Sequence, residues 1–443
     1  MKKRITHLQV IALGYFLMII IGALLLMLPI STADRSGATF NDALFTAVSA
    51  SCVTGLVVRD TATYFSSFGQ AVIIILIQIG GLGFMTVATL FFKLIKHKIG
   101  LREREIMVES LNQSHVGGIL KMTNKILLGT VIVETAGALL LSIRFIPEFG
   151  VGKGIWYSVF HSISAFCNAG FDLMGARDGE FASLIAYSGD ALVSITVMLL
   201  ITIGGIGFLV WDDLIAKKFN FKKLELHTKL VLVTSFILTF GGAILVFFLE
   251  RGGFSGMPLG ERILSSLFAS VTTRTAGFNT TDIAKYTGGT KLLMVILMFV
   301  GGSPGSTAGG IKTTTVAILF INMAARMRRL PGTVAFGREI DQSDLGKAAT
   351  IFVVNLTLAL GGTLAICMIQ DINVIDLMFE AFSAIGTVGM TTGITRSLAA
   401  ASKYIVMFLM YCGRVGSISF ALALLEKKGA GNVKYPKGKI TIG

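Results

Sequence analysis

One short pattern recurs four times in this chain of 443 residues: SASCVTGL (49–56), SAFCNAGF (164–171), TTRTAGF (272–278) and SAIGTVGM (383–390), each an apolar amphipathic stretch closing on a glycine. Aligned on Gly55, Gly170, Gly277 and Gly389, the copies lie 115, 107 and 112 residues apart, and ten residues before each glycine stands Phe45, Phe160, Leu267 or Phe379. Four equivalent segments in one chain point to four walls around one axis. An axis ringed by backbone is how proteins build an ion pore.

The solvent around those walls follows from composition. The chain is 53% hydrophobic and 14% charged, with a mean hydropathy of +0.77, well outside the range of a soluble globular domain. Apolar stretches long enough for roughly 30 Å of hydrocarbon run near 8–30, 69–92, 123–146, 190–211, 229–250, 347–369 and 403–425, with an interrupted one across 291–325. Eight crossings are expected. Shorter apolar segments near 41–52, 155–167, 260–273 and 373–385 suit re-entrant half-helices. The fold class is therefore an all-α integral membrane protein of four pseudo-symmetric units, each a span, a half-helix, a loop and a span. The units are residues 1–100, 101–220, 221–340 and 341–426, followed by a cytoplasmic tail at 427–443.

Each unit crosses twice, so all four glycine loops open to one face. Of 39 Lys and Arg, 25 lie in the N-terminus, the inter-repeat loops (93–125, 217–229, 326–347) and the tail; twelve lie on the half-helix side, and Lys312 and Arg414 fall at membrane depth. Positive residues mark the cytoplasm, so both termini are expected inside a cell membrane and the glycine loops outside. The net charge of +14 is thus a topology signal that fits lipid headgroups or a cytosolic partner, and no nucleic-acid role is expected. The apolar run after MKKR is too long for a cleaved signal peptide and is read as a retained first span. Cys52, Cys167, Cys367 and Cys412 make no disulfide framework, and packing explains Cys52 and Cys167.

At membrane depth, non-helical backbone survives only where protein shields it or where it lines a wet cavity. The carbonyls of Val53, Thr54 and Gly55, of Asn168, Ala169 and Gly170, of Thr275, Ala276 and Gly277, and of Thr387, Val388 and Gly389 are therefore candidates to replace the hydration shell of a monovalent cation. Glycine permits the dihedrals this needs. The alternative use of glycine, close helix packing, fits Gly80, Gly81, Gly83, Gly204, Gly205 and Gly207 on the inner helices.

With VTGL, NAGF, TAGF and TVGM at the loops and the interruption GGSPGSTAGGIK (301–312), the chain over roughly residues 8–425 resembles the Trk/Ktr/HKT superfamily of potassium transporters, most closely its Ktr-type membrane subunits. The resemblance implies potassium conduction, with sodium as a candidate co-ion, through a selectivity filter made by the four loops. A glycine in all four copies is the pattern that family associates with potassium preference. It also implies a homodimer docked on a KtrA-like cytosolic ring of nucleotide-binding regulatory subunits, and no covalent cofactor or transition metal. Only Thr387-Val388-Gly389 matches the start of the TVGYG filter of tetrameric potassium channels, so four unlike loops are expected to give looser selectivity.

Residues 291–300 and 313–325 are apolar, yet neither piece alone spans a bilayer. Between them Gly302, Ser303, Pro304, Gly305, Ser306, Thr307, Ala308, Gly309, Gly310 and Lys312 form a composition that breaks a helix. The break follows the third glycine loop by about half a span, which puts it beneath the filter. Lys312 at that depth needs water or a partner. The resemblance implies an intramembrane gating loop here, contacted by an arginine that corresponds to Arg414 in YCGRVGS (411–417). GSTAGGIKT is not a phosphate-binding loop, because its spacing is wrong by one residue and no strand precedes it. Copies one, two and four are expected to lead into intact inner helices.

Glu134, His161, Glu380, Gln78 and Asn355 are scattered among repeats and are read as braces between helices or for the filter, while Asp172 and Asp282 follow their loops and are placed to draw cations to the mouth. Two other functions compete. An alternating-access symporter driven by sodium or protons would show inverted repeats around a midplane site. A membrane-embedded enzyme would need a nucleophile and base or a metal cluster, and no such constellation is visible.

Overall fold

The computed structural model of the chain describes residues 6–83, 85–87, 89, 100–110 and 117–416. The initial MKKR, the whole basic stretch 90–99, the ends of the expected spans 69–92 and 403–425, and the tail 427–443 lie outside the described residues.

One order of elements recurs four times: an outer helix, a short helix, a glycine loop and an inner helix. The outer helices are His7–Leu26, Ile119–Phe149, Leu226–Leu249 and Gln342–Cys367; the short ones are Phe40–Ser51, Val151–Phe166, Leu259–Thr272 and Val374–Gly386; the inner ones are Ser67–Leu82, Ala191–Gly205, Gly288–Phe299 and Ala400–Val415. The strands among the described residues are one antiparallel pair, Val334–Ala335 with Arg338–Glu339. Polar caps start many of these helices, as when Thr39 accepts from the Asp42 N–H and Asp190 from the Val193 N–H.

All four outer helices are long and apolar enough to cross a membrane. Their outward faces carry exposed Leu13, Leu17 and Leu24, Leu128, Ile132 and Leu139, Phe236, Phe240 and Ile244, and Val353, Leu360 and Leu364. Apolar residues repeating at helical spacing on an exposed face are stable against lipid and not against water.

The inner helices are shorter than expected. They have 16, 15, 12 and 16 residues, or about 18–24 Å at about 1.5 Å per residue, less than the hydrocarbon layer. The expectation of intact inner helices fails in copies one and two, each of which breaks at a glycine, and in copy four the described residues end at the helix terminus. The first stops before Gly83 at φ +85°, the second is bent by 92° between Ala191–Gly205 and Phe208–Ala216 with Gly207 at φ +97°, and the fourth stops before Gly416 at φ +92°. Gly83 and Gly207 therefore turn the chain. Gly80, Gly81 and Gly204 do pack closely, since an added Cβ would run into the Ser51 carbonyl, Cys167 Sγ and the Phe166 carbonyl. Of the eight expected crossings, the described residues hold four helices long and apolar enough to span a membrane, the outer ones, or five spans if the bent pair is counted as one. In repeat three the break falls where the sequence puts it, between Gly288–Phe299 and Thr313–Met327.

The short helices aim their buried aromatics at one continuous core. Phe45, Phe160 and Phe379 are fully buried, but in copy three the buried ring is Phe268, and Leu267 is only partly covered. The reason is a link one residue shorter. The N–H before each glycine bonds back five residues in three copies (Thr54 to Ser49, Ala169 to Ser164, Val388 to Ser383), and four residues in the third (Ala276 to Thr272). A second, smaller core of Leu230, Ala317, Ala335, Ile340 and Leu345 ties the strand pair to the helix Thr313–Met327 and to the outer helices of repeats three and four.

Candidate functional site

The four glycine loops meet and close a ring. A Cβ added to Gly55 would collide with the Ala169 carbonyl oxygen; one on Gly170 would lie 2.6 Å from that of Ala276; one on Gly277 would lie 2.5 Å from that of Val388; and one on Gly389 would collide with that of Thr54. Each glycine faces the residue before the next copy's glycine, and the fourth returns to the first. All twelve sequence-expected loop residues are brought together here, with Val53, Thr54, Asn168, Ala169, Thr275, Ala276, Thr387 and Val388 at most 1% exposed.

The backbone repeats as closely as the packing. Val53, Asn168, Thr275 and Thr387, each two residues before its glycine, have φ of +57°, +60°, +69° and +51°, and Gly55, Gly170, Gly277 and Gly389 have +94°, +69°, +82° and +90°. Left-handed backbone at β-branched Val53, Thr275 and Thr387 is a strained state, on the order of 1–3 kcal/mol each, that persists only when its surroundings impose it.

The imposing groups are hydroxyls that were not singled out from sequence. The Gly55 N–H donates to Ser49 Oγ at 3.1 Å and the Gly389 N–H to Ser383 Oγ at 3.1 Å. Copies two and three use the opposite polarity: Ser164 and Thr272 donate to the carbonyls of Phe171 and Phe278 at 2.7 and 2.6 Å. The signal was available as a Ser or Thr five or six residues before every glycine.

The loop 301–312 lies against this ring. An added Cβ on Gly309 would collide with Thr387 Oγ1, and one on Gly310 would lie 3.0 Å from the Gly386 carbonyl oxygen. Its frame is the bend of the second inner helix: Ser303 N–H donates to the Gly205 carbonyl at 3.0 Å, Thr307 N–H to that of Gly204 at 3.2 Å, and Phe208 N–H returns a bond to Gly305 at 2.8 Å. Thr307 Oγ1 also donates to the Phe166 carbonyl at 3.0 Å. The two ends of the loop are pinned together by Gly301 N–H to Ile311 and Thr313 N–H to Gly302, at 2.8 and 3.0 Å. Lys312 Nζ donates to the Ala308 carbonyl at 2.8 Å. The Arg414 guanidinium bonds the carbonyls of Thr307 and Gly80, and that of Gly81 at 3.1 Å, joining the loop to the end of the first inner helix.

Outside the ring, the scattered polar residues act as braces. Gln78 Nε2 donates to Glu134 at 3.0 Å across two repeats. His161 takes the Leu173 N–H on Nε2 at 3.3 Å, which leaves Nδ1 to donate to the Tyr157 carbonyl at 2.7 Å. Glu380 accepts from Thr391 at 2.7 Å and Thr395 at 2.5 Å, just past the fourth loop. Asn355 bonds its own helix at the Ile351 carbonyl. Asp172 caps the Met174 N–H, and exposed Asp282 pairs with Lys285 at 3.2 Å, so neither points alone at the ring. Among the described residues no group of three or more His, Cys, Asp or Glu forms a metal cluster.

Residues 7–432 match the TrkH family, described as a cation transport protein. Over its whole length the chain is 41% identical to the potassium/sodium uptake protein NtpJ of Enterococcus hirae, covering 98% of that protein. It is 42% identical over 99% of its length to Ktr system potassium uptake protein B of Bacillus subtilis, covering 97% of it. The crystal structure of the potassium transporter TrkH from Vibrio parahaemolyticus superposes with a TM-score of 0.77 over 96% of this chain and 86% of that one; at 16% identity it speaks for the fold alone. These relatives are transporters and not enzymes, and the chain belongs to the TrkH family of cation transport proteins.

Proposed function

We propose that the chain is the ion-conducting membrane subunit of a potassium uptake system, passing K⁺, with Na⁺ as a candidate co-ion, through the ring of four glycine loops. The closed ring carries this reading. Left-handed residues at alternate positions turn successive peptide planes the same way, so that carbonyls can line one side where an ordinary strand would alternate them. The hydroxyls of Thr54 and Thr387 are buried with no hydrogen-bond partner among the described residues, which leaves their oxygens free for a cation. Similarity to potassium uptake proteins supports the choice of ion.

The loop 301–312 acts as the gate beneath the filter, latched by Arg414. Its anchors tie the bends of the first and second inner helices to the fourth glycine loop, so moving it requires breaking a defined set of bonds. The four repeats surround one pore at 1–100, 101–220, 221–340 and 341–426, with both termini cytoplasmic in the cell membrane. A homodimer regulated by a KtrA-like cytosolic ring completes the assembly, by resemblance to Ktr systems. An alternating-access symporter is disfavoured by four parallel repeats around a single ring.

The test is cation flux in liposomes without a proton or sodium gradient, for wild type and for Gly→Ser at Gly55, Gly170, Gly277 and Gly389. Potassium alone should drive flux in the wild type, and each serine should weaken the preference for K⁺ over Na⁺. Unchanged uptake and ion preference in all four variants would remove the filter assignment.

A further inference from the structure

Arg274 stands three residues before Gly277, where the other copies carry Cys52, Cys167 and Gly386. It is therefore the one cation placed at this position of the ring. It is 8% exposed, and its side-chain partners among the described residues are all neutral: Ser235 Oγ at 2.9 Å, and the Ser235 carbonyl and Thr239 Oγ1 at 3.5 Å, on the outer helix of the same repeat. Its Nε has no partner among the described residues. A cavity of about 10 Å³ touches Arg274, Thr202 and Thr239 together with Gly205 and Gly302, the space of about one water. The guanidinium is thus held on the outer helix Leu226–Leu249 by Ser235 and Thr239, and the residue shares a cavity wall with Gly205 and Gly302 at the anchor of the loop 301–312.

What balances this buried charge is the third short helix. Leu259–Thr272 ends two residues earlier and Arg274 N–H bonds the Val271 carbonyl, which puts Arg274 just past the helix C-terminus. A helix presents the equivalent of roughly half a negative charge there, the end that favours a cation. In the other three copies, neutral residues leave that field to whatever occupies the ring. In copy three, Arg274 takes it.

We infer that Arg274 is a specificity-determining residue of the ring: a fixed positive charge behind the third loop that weakens cation binding on that face and so speeds release. The inference rests on the filter reading above. For scale, two unit charges roughly 10 Å apart at an effective dielectric of about 20 interact by on the order of 1–2 kcal/mol, which corresponds to roughly a tenfold change in occupancy.

The direction of the effect separates this role from a purely structural one. Concentration-dependent Rb⁺ uptake into liposomes holding the full chain should show a half-saturating concentration about tenfold lower for Arg274→Gln, together with a lower maximal rate. Arg274→Lys should restore it towards wild type. Ser235→Ala keeps the charge and removes its anchor, so it should lower the rate with no gain in affinity. A raised or unchanged half-saturating concentration in Arg274→Gln overturns the inference, as does a lysine variant that behaves like glutamine. If Arg274→Gln fails to purify as a monodisperse protein, a gain in affinity in Ser235→Ala still overturns it. Gly277→Ser in the same assay separates the two proposals. If it shifts ion preference while Arg274→Gln shows no gain in affinity, only the role of Arg274 falls; if it and the serine variants of the other three glycines all shift nothing, the filter reading falls first.

Discussion

The closure of the ring can be tested by one methyl group placed at two positions. Gly389 and Gly393 have similar backbones, with φ of +90° and +99°. Alanine at either costs about 1–2 kcal/mol through the left-handed penalty alone. Their surroundings differ. At Gly393 the new Cβ would meet only the end of the flexible Arg396 side chain, at 3.3 Å. At Gly389 it would collide with the Thr54 carbonyl oxygen and come within 2.8 Å of Gly55 Cα, where carbon atoms ordinarily rest about 3.5–4.0 Å apart. Both groups are backbone, so loops one and four must separate by about 1 Å.

Gly389→Ala should therefore lose the ring's geometry as well as stability, while Gly393→Ala loses stability alone. Thermal unfolding in detergent should show a shift in both variants, the larger in Gly389→Ala. In competitive uptake, Gly389→Ala should lose at least about tenfold in potassium affinity, about 1.4 kcal/mol, and discriminate poorly against sodium. Gly393→Ala should keep both properties. Equal ion preference in the two variants, or wild-type affinity in Gly389→Ala, refutes a ring in which loops one and four touch.

Three further outcomes follow from the packing. Removing Arg414, as Arg414→Met, takes charge-assisted bonds from three carbonyls, and trimming residues within 303–311 removes the segment they hold; both should raise Rb⁺ efflux from loaded liposomes, and lowered or unchanged efflux would locate the gate elsewhere. Lys291 and Asp376 pair at 3.0 Å between repeats three and four with side chains only 14% and 22% exposed, so Lys291→Met should cost about 1–3 kcal/mol and Lys291→Met/Asp376→Leu should recover most of it, measured by thermal unfolding. In the third short helix Phe268→Ala should cost about 3–5 kcal/mol and Leu267→Ala clearly less; the reverse order would restore the ten-residue alignment.

The ring was legible because glycine at one repeat position has few explanations once it recurs, and because apolar length limits what a chain can do in a bilayer. The interruption at 301–312 was legible for the same compositional reason. The breaks at Gly83 and Gly207 were not. Glycine within an apolar run serves equally for packing, as at Gly80 and Gly204, or for a left-handed turn, and only φ separates the two uses. The register of copy three was hidden because Leu267 and Phe268 are adjacent and both apolar, so hydropathy cannot detect a link shortened by one residue. Arg274 was visible in TTRTAGF, but nothing in sequence says that its partners among the described residues are neutral.

The departures from fourfold symmetry cluster, and their clustering follows from space. A ring whose glycines face each other's carbonyls leaves room beneath it for one inserted segment. Gly309 and Gly310 fit against Thr387 and Gly386 only because they lack side chains. Four equal insertions would exclude one another, so a single repeat must supply the segment. Repeat three does so, and it is also the repeat with the shortened link and the buried Arg274. Arg274 lines the cavity that Gly302 and Gly205 close, and Gly205 accepts the bond from Ser303 that anchors the inserted segment. The charge proposed to tune the ring and the segment proposed as its gate therefore share a wall. A substitution that loosens the anchor, such as Gly205→Val, should change ion affinity and gating together; affinity unchanged in a variant that leaks would separate the two devices and break this argument.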